Sequence, residues 1–166
     1  MHAEAKQWID TLGLSPHPEG GYFLESYRDS FMLGAQSLGQ DFDGPRSAST
    51  AIYYLLEGED FSALHRIRSD ELWHFYAGSA LRVEGLHVDG RRQDWLLHND
   101  CEMGRPQVIV PRGTWFGARL VKPGGFALVG CTVSPGFDFS DFEMANATDM
   151  MARYPQHREW IQRLTR

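Results

Sequence analysis

The sequence predicts an all-β barrel with a short helix at each end. Short runs rich in aromatic and β-branched residues fill the middle of the chain, and Gly, Pro, Asn and Asp separate these runs. The two ends instead carry apolar residues at helical spacing. Of 166 residues, 17 are Gly and 8 are Pro, 42% are hydrophobic and 13% aromatic, which is typical of a turn-rich globular protein. We expect a single domain over residues 1–166.

Each end of the chain is predicted to form a short amphipathic helix. Gly13 follows the first apolar stripe, where a left-handed cap residue is expected. Pro155 stands near the start of the last helix, in a position that suits the first turn. The two stripes are Ala5, Trp8, Ile9 and Leu12, and Trp160, Ile161 and Leu164.

Eight or nine strands are predicted between the helices, a number typical of barrels and sandwiches. The Asp89-Gly90 dipeptide between two of them is a strong hairpin signal. The candidate strands are residues 21–28, 50–56, 62–67, 71–77, 81–88, 94–97, 107–110, 115–120 and 126–133.

Charge and composition argue against several kinds of partner. A net charge of -6, without a run of Lys and Arg, argues against nucleic acid. No segment approaches the roughly 20 apolar residues that cross a bilayer, and the charged N-terminus is unlike a signal peptide, so we expect no membrane partner. Cys101 and Cys131 lack CxxC spacing, which suits two separate buried thiols in a reducing compartment. We expect a cytoplasmic protein.

Strand alternation predicts a pocket centred on two polar residues. His65 and Ile67 share one face of a strand, and Glu71, Trp73 and Phe75 share one face of the next. Facing strands would direct the imidazole and the carboxylate into one aromatic-lined cavity. A neutral imidazole can take a proton from a carbon next to a carbonyl group, which is the step that an epimerase needs.

Two segments resemble the motifs of the cupin superfamily. The segment GEDFSALHRIRSDELWHFYAG matches the first motif at His65 and Glu71, but Ile67 stands at the position of its second His. The segment PRGTWF matches the start of the second motif, with Phe116 at the position of its His. The resemblance implies a double-stranded β-helix, or jelly-roll, barrel. It also implies that two usual metal ligands are missing, so we expect no metal; if one is bound, His65 and Glu71 are the expected ligands.

Two further segments extend the resemblance over nearly the whole chain. HPEGGYFLESYR, residues 17–28, and GCTVSPGFDFSDFE, residues 130–143, are similar to a small cupin family described as predicted sugar epimerases. That description rests on likeness to deoxysugar-nucleotide epimerases, which use a jelly-roll barrel without a metal. The resemblance implies a small polar ligand such as a sugar or sugar nucleotide, and no cofactor. It also implies a homodimer, because barrels of this superfamily commonly associate through their sheets.

His65 is the candidate general base of such an epimerase. A carboxylate is expected to fix the tautomer of its ring. Glu71 is one candidate for this carboxylate, and Asp138 and Asp141, from the acidic Phe-rich stretch after the last strand, are two others. The pattern does not choose among them, and the Phe-rich stretch is equally well suited to cover the end of the barrel.

An epimerase also needs a proton donor on the opposite face of the sugar ring and a group that stabilises the enolate. Tyr22, Tyr27 and Tyr54 are the candidate donors. Arg28 and Arg66 are candidates for binding the anion.

Aromatic residues near the predicted pocket suit either core packing or stacking against a sugar ring. They are Trp73, Phe75, Trp115 and Phe116. His74 lies on the opposite strand face from Glu71, so we expect it to be structural.

Two other functions remain open. A metal-dependent cupin would combine His65 and Glu71 with further donors such as His98 or Asp138. A non-catalytic binding or sensor module needs only a pocket and no proton donor.

Overall fold

Thirteen strands and four α-helices are present in the computed structural model, which describes residues 2–166. In chain order the strands are β1 (Ser15–Pro16), β2 (Tyr22–Arg28), β3 (Met32–Leu33), β4 (Arg46–Ser47), β5 (Thr50–Glu57), β6 (Phe61–Arg66), β7 (Asp70–Gly78), β8 (Leu81–Leu86), β9 (Arg92–Leu97), β10 (Gln107–Val110), β11 (Trp115–Leu120), β12 (Phe126–Ser134) and β13 (Glu143–Met144). The helices are α1 (Ala3–Leu12), α2 (Ala35–Leu38), α3 (Ala147–Arg153) and α4 (Arg158–Leu164).

Two antiparallel sheets form the barrel. One has six strands in the order β1-β2-β5-β12-β7-β10, and the other has five in the order β13-β6-β11-β8-β9. Their inner faces pack into one buried cluster, which includes Tyr54 and Trp73 of the first sheet and Val83 and Phe116 of the second. This arrangement confirms the predicted all-β jelly-roll barrel with short terminal helices.

All nine predicted strands are present, and their ends differ from the prediction by at most two residues. Gly90, with φ of 84°, lies in the turn of the predicted hairpin between β8 and β9. The prediction missed the two-residue strands β1, β3, β4 and β13 and the helices α2 and α3. Segments this short are too brief for a period of 2 or 3.6 to be recognised.

Strand alternation places the polar residues of β7 as predicted. Glu71, Trp73 and Phe75 are buried on the inner face, while His74 lies on the outer face. One ring nitrogen of His74 is 3.1 Å from the Thr132 hydroxyl, and the other is 3.1 Å from the Gln107 amide. These contacts give His74 a structural role.

The terminal helices pack against opposite sheets. Ala5 of α1 is buried against Leu55 and Leu128 on the outer face of the six-stranded sheet, and α1 ends at Gly13 with φ of 67°. From α4, the buried residues Trp160, Ile161 and Leu164 pack against Leu64 and Leu86 of the five-stranded sheet. Each helix therefore covers apolar surface that the barrel alone would leave in water.

A buried carboxylate joins α4 to the barrel. Glu84 of β8 accepts hydrogen bonds from the Trp160 indole at 3.0 Å, from Arg92 and Arg163 at 3.2 Å each, and from Arg119. Burial raises the pKa of Glu84, but the three guanidinium groups outweigh it and hold that pKa below its ordinary value. Glu84 is therefore ionised, and its hydrogen bonds connect the five-stranded sheet to α4.

The two cysteines lie in different environments. Cys131 is buried on the inner face of β12, whereas Cys101 is exposed in the turn that follows β9, and both are free thiols. The prediction of two buried thiols is therefore wrong for Cys101, because the turn lies outside the core. In the part of the chain that the structure describes, no helix is both long enough and apolar enough to cross a membrane.

Candidate active site

A cavity of about 260 Å³ lies inside the barrel, and both sheets contribute to its wall. Its titratable and polar lining comprises His17, Glu19, Glu25, Arg28, Thr50, Tyr54, His65, Glu71, Cys131 and Asp138. Its aromatic and aliphatic lining comprises Phe23, Ile52, Ile67, Trp73, Val133, Phe137, Phe139 and Phe142. His65 and Glu71 thus share one aromatic-lined cavity, the arrangement that strand alternation predicts.

His65 is held in one orientation within this cavity. It lies on β6, is 3% exposed, and its Nδ1 is 2.7 Å from the carbonyl oxygen of Ala63. Since a carbonyl oxygen only accepts hydrogen bonds, Nδ1 carries the hydrogen, and the neutral ring has its lone pair on Nε2. The ring packs against Phe116, with centroids 4.2 Å apart. His65 therefore offers a basic nitrogen with a fixed tautomer.

The carboxylate beside this nitrogen belongs to Glu19. Its Oε2 lies 3.3 Å from Nε2 of His65, and its Oε1 accepts a hydrogen bond of 2.9 Å from the Ser62 hydroxyl. The partner carboxylate is therefore none of the three predicted candidates, Glu71, Asp138 or Asp141. An anion next to Nε2 favours the imidazolium that forms when His65 accepts a proton.

The loop between β1 and β2 brings Glu19 into the barrel. Gly20 and Gly21 follow it with φ of 112° and 68°, a left-handed backbone that glycine adopts without strain. The Gly21 N–H donates to the Asp60 carboxylate at 2.8 Å, and the Glu19 carbonyl accepts from the Ala63 N–H at 2.8 Å. These two hydrogen bonds hold the loop against the first half of β6, next to His65.

His17 is a second imidazole near the same carboxylate. Its Nδ1 is 3.6 Å from Oε2 of Glu19 and accepts a hydrogen bond from the Glu19 N–H at 3.3 Å. Its ring packs edge-on against Phe23, with centroids 4.5 Å apart. Burial lowers the pKa of His17, Glu19 raises it and His65 lowers it further, for a net decrease. His17 is therefore a neutral ring that orients the Glu19 loop.

Glu71 is a second buried carboxyl group, on the opposite wall. Burial raises its pKa to about 8, and the negative charge of Glu19 adds to this increase, while a contact with the Cys131 thiol opposes it. Burial in turn raises the pKa of Cys131 well above its ordinary value. At neutral pH Glu71 is therefore a protonated acid that can donate a hydrogen bond or a proton.

One hydrogen-bond donor on the cavity wall is unsatisfied. The indole of Trp73 is 1% exposed, and its Nε1 has no hydrogen-bond partner among the described residues. Buried donors without a partner are rare in folded proteins, because losing water costs about 1–3 kcal/mol. This N–H is available to an acceptor atom of a ligand.

Tyr54 also lines the cavity, but its hydroxyl is occupied. It donates to the Gly20 carbonyl at 2.8 Å and thereby supports the loop that carries Glu19. Burial raises the pKa of Tyr54 well above its ordinary value, and the charge of Glu19 raises it further. The structure therefore gives Tyr54 a role in supporting the Glu19 loop, and its hydroxyl hydrogen is not free to serve as the proton donor.

The Phe-rich segment 137–142 forms the mouth of the cavity. Phe137, Phe139 and Phe142 line it together, with their ring centroids 5.0 to 6.0 Å apart. A buried ion pair anchors the segment, because Arg46 donates to both carboxylate oxygens of Asp141 at 2.7 Å. The segment therefore covers the barrel end and contributes aromatic lining, whereas the carboxylate beside His65 comes from Glu19.

Two charged residues of the predicted set lie at this mouth. Asp138 accepts hydrogen bonds from the N–H and the hydroxyl of Ser140, and these bonds lower its pKa. Arg28 is bound by Glu25 through two hydrogen bonds of 2.8 and 2.7 Å and donates to the Phe137 carbonyl at 3.1 Å. Both side chains line the cavity, but their charges already have partners.

Several predicted site residues lie outside the cavity. Strand alternation turns Tyr22 of β2 away from it, and an irregularity in the register between Glu25 and Tyr27 leaves Tyr27 exposed outside it. Phe75 lies in the core beside His98. Phe116 packs behind His65, and Trp115 belongs to the cluster under α4. Asp141 forms a buried ion pair with Arg46. Arg66 stacks on Trp115 and forms an ion pair with Glu143 in a neighbouring groove. These predicted site residues therefore do not line the cavity.

The donor set does not fit a cupin metal centre. Ile67 and Phe116 offer no donor atom at the two positions where the cupin motifs place His. Across residues 2–166, no three His, Cys, Asp or Glu side chains are grouped so that they could hold an ion. His98 stacks against Phe75 and accepts from the Asp100 N–H, and it does not line the cavity.

Sequence reasoning missed Glu19 and His17 as functional residues. Both lie in the HPEGG stretch, which carries no strand or helix period of its own. The available signal was its position directly before a Gly-Gly turn at the start of a strand, where a buried polar pair needs partners. Ser62, the partner of Glu19, lies far away in the sequence and gives no local indication.

Comparison with known proteins agrees with this architecture. Over 155 residues the chain is 28% identical to the uncharacterized protein YML079W of Saccharomyces cerevisiae, covering 87% of this chain and 76% of that protein. The crystal structure of protein SO0799 from Shewanella oneidensis is 39% identical, with a TM-score of 0.86 over 98% of this chain and 97% of that one. A hypothetical protein from Leishmania major is 34% identical, with a TM-score of 0.87 over 97% and 98% of the two chains.

A more distant likeness concerns the fold alone. Oxalate decarboxylase from Bacillus subtilis is 14% identical, with a TM-score of 0.53 over 90% of this chain and 36% of that one. The family model described as Cupin superfamily (DUF985) matches residues 6–145. This match covers the barrel strands and the whole cavity lining, and the chain therefore belongs to that cupin family, Cupin_5.

Proposed function

We propose that this protein is a metal-independent epimerase or isomerase that acts on a sugar or sugar nucleotide, with His65 as its general base. The observation that carries the proposal is the arrangement of His65, whose Nε2 lies 3.3 Å from Oε2 of Glu19 while its Nδ1 is 2.7 Å from the Ala63 carbonyl oxygen. A base with a fixed tautomer and a neighbouring anion suits the removal of a proton from carbon next to a carbonyl group.

The proposal also needs an acid on the other side of the ligand. Glu71 lies on β7 of the six-stranded sheet, whereas His65 lies on β6 of the five-stranded sheet. A sugar ring between the sheets would thus have the base on one face and a protonated carboxyl on the other. Inversion at carbon requires this geometry, because the proton leaves one face and returns to the opposite one.

The proposed reaction removes a proton from one face of the carbon and returns a proton to the other face. His65 Nε2 takes the proton, the C–H electron pair forms a C=C bond, and the carbonyl oxygen becomes an enolate oxygen. The unsatisfied Trp73 N–H is the candidate donor to that oxygen. Glu71 then delivers its proton to the opposite face of the carbon, and exchange with solvent restores the neutral imidazole and the neutral carboxyl.

Solvent isotope exchange tests the proposed chemistry without knowledge of the product. Keto-sugars and nucleotide-linked keto-sugars are incubated with the protein in D₂O, and loss of the C–H signal next to the carbonyl is followed by proton NMR. We expect exchange with the wild type and a loss of about 10²–10⁴-fold in H65Q. Urea unfolding of H65Q checks that the fold is intact.

A matched control variant shows whether the loss of exchange in H65Q is specific to the cavity. His74→Gln makes the same change on the outer face of the neighbouring sheet and should leave exchange unchanged. Exchange that persists in H65Q contradicts the assignment of the base. A ligand that binds to the wild type without any exchange favours the non-catalytic binding module instead.

We also propose a homodimer that forms through the outer face of the six-stranded sheet. Leu24, Tyr76 and Ile109 lie on this face and are 39%, 46% and 51% exposed. The register aligns Leu24 with Tyr53 and Ile109 with Leu72, so the apolar side chains run across the sheet. Exposed large apolar side chains grouped on one sheet face are typical of a surface that a partner covers.

A further inference from the structure

A second depression lies beside the mouth of the cavity. Three arginines line it, Arg66, Arg68 and Arg112, together with Gln40, Asp41, Gly113 and residues 140–143. Ile67 and Phe142 line both this groove and the cavity, so the two spaces are direct neighbours. Three arginines at one place are notable in a protein whose net charge is -6.

Two of the three carboxylates in the groove, those of Asp141 and Glu143, already have arginine partners. Arg46 holds Asp141 with two hydrogen bonds from outside the groove, and Arg66 pairs with Glu143 at 2.6 Å. Arg68 donates to the Asp41 carbonyl and lies 3.6 Å from Asp141.

Arg112 is the most available of the three cations. Its backbone N–H donates to Asp70, but within residues 2–166 its guanidinium group forms no ion pair and no hydrogen bond. Arg68 and Arg112 therefore keep donors that can bind an anion from solution.

The cavity itself is unsuited to an anionic ligand. Glu19, Glu25 and Asp138 line it, and its one arginine, Arg28, is neutralised by Glu25. Its volume of about 260 Å³ is also below the range of roughly 300–1,000 Å³ that is typical of sites for larger ligands. A ligand with a sugar ring and a phosphate would have to place the phosphate outside.

We propose that the groove formed by Arg66, Arg68 and Arg112 binds the phosphate group of a sugar phosphate or nucleotide sugar whose ring occupies the cavity. This inference rests on the proposed function and names the substrate class of the same site. A guanidinium group forms two parallel hydrogen bonds with phosphate oxygens, which gives direction as well as charge. The groove thus selects for the phosphate and the cavity for the ring.

Equilibrium binding tests the groove independently of catalysis. Glucose, glucose 1-phosphate and UDP-glucose are titrated calorimetrically into the wild type, the double variant R68Q/R112Q and the control R91Q. Arg91 is an exposed arginine of the β8–β9 hairpin that does not line the groove. We expect the wild type to bind at least one phosphate-bearing probe about tenfold tighter than glucose, and this advantage to vanish only in the double variant.

The probes also distinguish the two sources of phosphate. An advantage for glucose 1-phosphate points to a phosphate monoester, and one for UDP-glucose alone points to a nucleotide diphosphate. Equal affinity for all three probes, no saturable binding of either phosphate probe, or an advantage that survives in R68Q/R112Q overturns the proposal. Because H65Q should keep the phosphate advantage even without exchange, failure of the groove and failure of the epimerase assignment are separable.

Discussion

Oε2 of Glu19 lies 3.3 Å from Nε2 of His65, although one residue comes from the loop before β2 and the other from β6 in the facing sheet. The contact depends on Ser62, whose hydroxyl holds the other carboxylate oxygen. Glu19 therefore acts on His65 as a fixed negative charge.

Glu19→Gln should slow isotope exchange by about 10²-fold, because it removes the charge that favours the imidazolium while keeping the size of the side chain. Exchange rates of wild type and variant, measured from pH 5 to 9, check this. Urea unfolding of E19Q checks that the loss of exchange does not come from lost packing. S62A, which removes only the hydrogen bond to Glu19, should have a smaller effect in the same direction.

Glu71 makes the stability of the protein fall as the pH rises. Its pKa is about 8 in the folded protein against an ordinary value of 4.5, so between these values the folded state binds a proton that the unfolded state has lost. The contribution of Glu71 is complete below pH 4.5 and is lost as the pH rises towards 8, at up to about 1.4 kcal/mol per pH unit.

Urea unfolding of wild type and Glu71→Gln at several pH values between 5 and 8 isolates this contribution. Other titrating groups, including His17, are present in both proteins and cancel in the difference. We expect the wild type to lose stability relative to E71Q as the pH rises. A constant difference over this range means that Glu71 ionises normally in the folded protein.

The loop of Glu19 tolerates no side chain at Gly21. This residue has φ of 68°, and an added Cβ would lie 2.6 Å from the Leu55 carbonyl oxygen, which is backbone and cannot move aside. Gly21→Ala should destabilise the protein by about 1–3 kcal/mol and reduce exchange, since any shift of the loop displaces Glu19. Thermal unfolding and the exchange assay measure both effects. Gly34→Ala, where an added Cβ meets no atom within 4 Å, is the control.

The proposed dimer predicts a mass of twice 18.9 kDa in light scattering. Ile109→Lys should shift the protein to monomers, because it places a charge among the exposed apolar side chains of this face, on the edge strand β10. Val88→Lys makes the same kind of change at a residue that is 64% exposed on the β8–β9 hairpin, and should not alter the mass. A monomeric wild type, or dissociation caused equally by V88K, contradicts the proposed interface.

The sequence alone predicted the strands and helices whose apolar residues recur at a regular spacing. The alternation of Glu71, Trp73 and Phe75 against His74 is local, and the structure keeps it. Trp115 and Phe116 were candidates only as aromatic residues near the pocket, and as neighbours on β11 they face opposite sides, Trp115 under α4 and Phe116 against His65. Motif resemblance located His65 and Glu71 for a similar reason, since both lie on long regular strands.

The remaining site residues depend on contacts between distant segments. Glu19 meets His65 only because β2 and β6 lie in facing sheets, and Arg46 meets Asp141 only because the Phe-rich segment folds back over the mouth. Neither pair has a sequence spacing that would reveal it. Asp141 therefore looked like a candidate catalytic carboxylate, whereas its buried ion pair gives it an anchoring role.

The unsatisfied indole N–H of Trp73 offers a way to detect a ligand by its effect on the stability of the protein. Its N–H is buried without a hydrogen-bond partner among the described residues, so the folded protein carries a cost that a suitable acceptor would remove. Any compound that supplies this acceptor binds the native state alone and raises the melting temperature by mass action. A thermal-shift screen of small metabolites would then rank candidate substrates before any reaction is assayed, and the Trp73 fluorescence would change with the same compounds.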